Sequence, residues 1–145
     1  MVRTLVEQEV YYWRDKRGIP HQIRLDVYIK NGKINCVDVA KWQLDSFLQS
    51  FSPVYLDQID PGEADSLAYL CSSEEQWCIC SADGIVFRTL GCLRLAERGI
   101  SLQELLQQVG LSRQFDSSHW HCTKEYRQYL TLRGQQEGIT GMGLK

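Results

Sequence analysis

The run from Asp60 to Gly99 limits the fold more than any other part of the chain. It opens with Asp60-Pro61-Gly62-Glu63-Ala64-Asp65, where Asp60 can cap a helix, Pro61 suits the first turn and the acids suit the positive helix end. A helix is expected from there to about Ser72. Trp77-Cys78-Ile79-Cys80-Ser81 is an apolar run of strand length. After Asp83-Gly84 a second helix is expected to Glu97, burying Ile85, Val86, Leu90, Leu93 and Leu95, with Gly99 as its stop. Ser101-Leu102-Gln103-Glu104 is a capping box that opens a third helix to Val109, ended by Gly110. Helix, strand, helix, helix in this order predicts an α/β fold, a short parallel sheet covered by helices.

The flanks follow other patterns. Leu5, Val6, Val10 and Trp13 stand at helical spacing over residues 4–14, with Gly18 and Pro20 closing that segment. Ile23, Leu25, Val27 and Ile29 alternate with Arg24, Asp26, Tyr28 and Lys30, the pattern of a half-buried strand. Asn31-Gly32 is a hairpin signal, and Lys33 to Val39 can return, so a β-hairpin is expected over residues 22–39. Residues 41–51 predict a short helix, residues 54–56 a brief extended piece, and residues 120–133 a weak helix. One domain is expected over residues 1–133, with a flexible glycine-rich tail over 134–145.

With 43% hydrophobic and 23% charged residues among 145, a disordered, collagen-like or rod-like chain is excluded. The apolar runs are too short to span a bilayer. Met1 to Glu7 lacks the apolar core of a secretory leader, so a cytoplasmic protein is expected. A net charge of -2 argues against a globally basic nucleic-acid binder. Its distribution is uneven: seven acids and no Lys or Arg lie from Asp57 to Asp83, whereas Met1 to Lys33 holds seven basic residues against four acids. An acidic middle beside basic flanks suits a cation site bordered by a surface for an anionic ligand; a plain solvated surface would read the same way. The six cysteines, Cys36, Cys71, Cys78, Cys80, Cys92 and Cys122, read as free thiols in this context.

Asp65 lies in the first turn of its helix and Asp83 just past its strand, where ligands of open α/β sheets bind. Eighteen residues separate them, enough for one helix and one returning strand. Clustered carboxylates at one sheet edge would suit Mg²⁺ or Mn²⁺, although an Asp near a helix start also serves as a plain cap. His119-Trp120-His121-Cys122 offers zinc-ligand types without finger spacing. No nucleophile elbow or phosphate loop is present. Tyr11, Tyr12 and Trp13 beside Arg14, Lys16 and Arg17 either stack on RNA bases or form a core helix with a solvated end.

Three passages carry a family resemblance. Asp60 to Ala68 (DPGEADSLA) is similar to the D-x-G-E-x-[DE]-[AS]-[IL]-A run of a subgroup of PIN domains. Ile79 to Arg88 is similar to that family's T-x-D-x-x-x-x-R segment at a strand end, and Thr89 to Ile100 to its A-x-x-L-G and A-x-x-x-G passage. The stretch from Leu56 to Leu111 thus resembles the second half of a PIN domain, the fold of metal-dependent ribonucleases that includes VapC-type toxins. By position, the resemblance implies that Asp65 matches the helix-start acid, Asp83 the strand-end acid and Glu9 the earlier helical Glu, with Glu63 a tuning neighbour. It implies Mg²⁺ or Mn²⁺ held by Glu9, Asp65, Asp83 and Glu63, with RNA as substrate, an antitoxin-like protein partner, a homodimer and no membrane. The family opens with a strand carrying a further Asp ahead of the helical Glu. With Glu9 so near the start, the expectation is a PIN-like domain shortened at that side. A catalytically inactive PIN-related module that binds protein or RNA is the alternative.

Overall fold

The computed structural model describes residues 1–9 and 12–145, and their side chains except those of Gln8 and Glu9. A π-helical turn over Leu5–Glu9 comes first, then β1 (Tyr12–Arg14), β2 (Pro20–Gln22), α1 (Leu25–Lys30), α2 (Lys41–Leu48), α3 (Pro53–Leu56) and α4 (Pro61–Ser72). β3 (Ile79–Cys80), α5 (Gly84–Cys92), β4 (Gly99–Ile100), α6 (Leu102–Gln108) and α7 (Lys124–Thr140) complete the order. The fold is mixed α/β. β1 and β2 pair antiparallel, and β3 and β4 pair parallel with Ile79 opposite Gly99. Among the described residues no helix is long and apolar enough to cross a membrane.

The central run folds as its caps and apolar positions dictate. Glu63 Oε2 accepts the Asp60 N–H at 3.3 Å, closing the capping box at the start of α4. Asp83 Oδ1 accepts the Ile85 N–H at 3.0 Å and starts α5. Ser101 and Glu104 form the box that opens α6. Leu67 on α4, Phe87 and Leu90 on α5, and Phe51 after α2 are fully buried and form the centre of the core. Phe51 and Tyr55 stack with ring centroids 5.0 Å apart, and burying rings of this size dominates core energetics.

α5 packs along α7 through bare backbone. A Cβ at Gly134 would stand 2.0 Å from the Arg88 carbonyl oxygen, and one at Gly91 2.3 Å from that of Thr131. Two of the four glycines expected in a loose tail, Gly134 and Gly138, therefore lie inside a helix that runs to Thr140. Gly141 ends it with φ +71°, and Leu144 bridges back to Phe51.

Several expectations give way. The hairpin lies at 12–22, not over 22–39. Asp15 makes its turn: Oδ1 accepts the N–H groups of Arg17 (2.8 Å) and Ile19 (3.0 Å), which brings Pro20–Gln22 back beside Tyr12–Arg14. The helix expected over 4–14 is thus confined to the turn Leu5–Glu9, while Val10 and Tyr11 lie outside the described residues. The alternating segment forms α1 because Leu25 and Ile29 also share a face at i, i+4. Asn31-Gly32 stops that helix: the Gly32 N–H donates to Ile29 O at 3.0 Å and the Lys33 N–H to Tyr28 O at 2.9 Å. The expected return strand pairs instead with the chain start, at a single bridge between Val2 and Val37. Residues 54–56 are helical, since Pro53 takes the first position of α3. α5 ends at Cys92, five residues before Glu97, through a left-handed Arg94 whose N–H donates to Gly91 O at 3.1 Å.

Candidate functional site at the end of the parallel pair

α4 packs against β3 and runs back along it. The Arg98 guanidinium holds the connection by donating to three carbonyls: Leu70 O at 3.1 Å, Trp77 O at 3.0 Å and Glu75 O. Leu70 is thereby level with Trp77. One turn earlier on α4, Ser66 lines a cavity of about 520 Å³ together with Cys80, three residues further along the strand.

Asp65, Glu63 and Asp83 each have a local role, and Asp65 lies in the second turn of α4 rather than the first. Asp65 is half-buried, and its Oδ2 accepts the Thr4 hydroxyl from just before the π-helical turn, which packs on α4. Glu9 closes that turn; its side chain lies outside what the structure describes. Glu63 belongs to the helix-start box. Asp83 is exposed, its N–H donates to Ser81 Oγ at 2.9 Å, and its carboxylate caps α5. Tyr126 on α7 feels it: burial raises the phenol's pKa, and the Asp83 charge adds to the rise.

The donor chemistry suits a hard divalent cation, which takes carboxylate oxygens. Convergence is less complete. Among the described residues, no three His, Cys, Asp or Glu side chains come together in a group that could hold a metal ion.

The histidine-rich segment does other work. It forms a 3₁₀ turn over Ser117–Cys122, capped by Asp116, whose Oδ1 lies 2.7 Å from His119 Nδ1 and accepts the Ser118 N–H at 3.0 Å. The Ser118 hydroxyl and then His119 hold the Asp116 carboxyl down at about 2. The six cysteines are free; burial raises the Cys80 thiol's pKa, with Cys122 and Glu104 adding to it.

Two features escaped the sequence reading. Glu104 accepts from Arg127 Nε at 2.7 Å and Nη2 at 2.8 Å. Burial alone would raise its carboxyl, yet Arg127 and Ser101 hold it at about 2. Nothing local pairs residues 23 apart, so no spacing rule could find this bridge. The other is the β1–β2 ribbon, where Trp13 stacks on His21 at 4.6 Å and all six strand residues are exposed. The signal for it was present in Asp15 and Gly18 between two short runs.

Compared with known proteins, the chain matches no family model, no curated protein and no solved structure.

Proposed function

We propose that the chain is a PIN-like domain that acts on RNA as a metal-dependent ribonuclease, with Glu9, Asp65 and Asp83 as its carboxylates. One observation supports this reading: α4, which bears Asp65, packs against β3, which leads to Asp83, and the π-helical turn packs on the same helix. Ligands of a parallel pair bind at its carboxyl end, and Asp83 follows β3 there. Mg²⁺ or Mn²⁺ there would supply charge neutralisation at a phosphate and a more acidic water. The protein's own contribution is to hold the acids in place, through Thr4 on Asp65 and the α5 cap on Asp83.

Calorimetric titration of Mn²⁺ tests the reading. Wild type is expected to bind, with Asp65→Asn and Asp83→Asn each weakening binding at least about tenfold. Asn still caps a helix, so Asp83→Asn removes the charge and keeps α5. Absence of binding by wild type overturns the nuclease reading. It leaves the inactive PIN-related module, which the engagement of Asp65 and Asp83 in local hydrogen bonds favours.

A further inference from the structure

The β1–β2 ribbon is built unlike the rest of the molecule. Tyr12, Trp13, Arg14, Pro20, His21 and Gln22 are all exposed, so both faces of the ribbon are open to solvent. Trp13 and Tyr12 expose 53% and 57% of their surface, a placement that apolar burial alone would not select. The ribbon is nonetheless ordered by its own turn. Asp15 N–H donates to Ile19 O at 3.1 Å, Arg14 Nη1 donates to Gly18 O at 2.9 Å, and Asp15 Oδ2 lies 3.2 Å from His21 Nε2.

This order sets out aromatic faces and positive charge together. The pleat puts Trp13 and its partner His21 on one face and Tyr12 with Arg14 on the other, where the guanidinium carbon sits 5.3 Å from the Tyr12 ring centre. Lys16 and Arg17 are exposed at the turn. The only acid among residues 12–22 is Asp15, whose carboxylate is taken up by the turn. Stacking faces flanked by three cations complement one polymer chemistry: unpaired bases on a phosphate backbone. A duplex keeps its bases stacked inside and offers no free ring face to Trp13.

Resting on the RNA-directed reading above, we propose that the β1–β2 ribbon is a grip for single-stranded RNA, with Trp13 and Tyr12 stacking on unpaired bases and Arg14, Lys16 and Arg17 on phosphates. Because the ribbon is held in shape before RNA arrives, little ordering entropy is lost on binding.

The test is fluorescence anisotropy of a short fluorescein-labelled single-stranded RNA of mixed sequence, with EDTA present throughout. Metal binding then plays no part, and failure of the carboxylate site is read separately from failure of the ribbon. Wild type is expected to bind the single strand in preference to the matching duplex. Trp13→Ala should weaken binding about tenfold, and Trp13→Phe, which restores a stacking ring, should recover most of that loss. Arg14→Ala with Arg17→Ala should lower the slope of log K against log salt by about 1.4. Ile139→Ser, at a highly exposed apolar position on α7, serves as the surface control and should bind as wild type does. Thermal melts keep the ribbon variants interpretable. The proposal is overturned if wild type fails to bind, if duplex binds as tightly as single strand, or if the ribbon variants bind like wild type.

Discussion

Between α5 and α7 the backbones touch because Gly91, Gly134 and Gly138 carry no side chain, whereas along β1–β2 large side chains stand clear of the body on both faces. In the first region every added atom meets a wall: a Cβ at Gly134 would overlap the Arg88 carbonyl group. In the second, the rings of Tyr12 and Trp13 are left in water. The contrast separates two uses of sequence. Where packing decides, residue size is fixed to within a methyl group. Where it does not, aromatic and basic residues are available for a ligand.

The largest expected effect breaks the packed side of this comparison. Gly134→Ala forces α7 off α5 and should destabilise the protein by about 3 kcal/mol, read as a lower midpoint in urea unfolding. A midpoint equal to wild type would mean that the helices do not meet at backbone distance. Next comes the Glu104–Arg127 bridge, which ties α6 to α7. Arg127→Met leaves a half-buried carboxylate with its Ser101 hydrogen bonds but without its ion-pair partner and should cost about 2 kcal/mol at neutral pH. Its pH dependence has a definite sign. The folded carboxyl titrates at about 2, below its ordinary 4.5, so the bridge contributes fully above about pH 4.5 and its stabilisation is lost as the pH falls toward 2. Acid unfolding curves of wild type and Arg127→Met should therefore converge in that window.

Smaller effects sharpen the other side. Asp83→Ala removes the α5 cap and should lower stability by about 1 kcal/mol in a thermal melt, while Asp83→Asn should lower it by much less. Trp13→Ala should change stability by less than about 0.5 kcal/mol, since the ring is half exposed and stacks on His21 of the same ribbon. A larger loss would show that the ribbon supports the core.

Legibility in the sequence followed the same division. Segments whose signals are local folded as read: the α4 start at Asp60 with Pro61, the α5 start after Asp83-Gly84 and the Ser101–Glu104 box each need only neighbouring residues. Ambiguity entered where one pattern serves two structures. Leu25 and Ile29 are in phase for both a strand and a helix, and Asn31-Gly32 turns a hairpin or stops a helix equally well. A partner strand would have decided between them, and residues 33–39 found theirs at Met1–Arg3. The glycines at 134 and 138 could be read correctly only with α5 in place. For the candidate site, the place of Asp83 between β3 and α5 was legible, whereas Asp65 falls one turn later in α4 than read; the Thr4 partner of Asp65, 61 residues away, and the Arg98 staple were not legible.

The backbone contact between α5 and α7 also bears on how the chain can drift over generations. A glycine has no smaller neighbour to mutate into, so every replacement at Gly91 or Gly134 adds atoms where none fit. The stretch whose composition most resembles a disposable linker is thus among those least free to vary, and an exposed tryptophan on the ribbon can be exchanged at far lower risk to the fold.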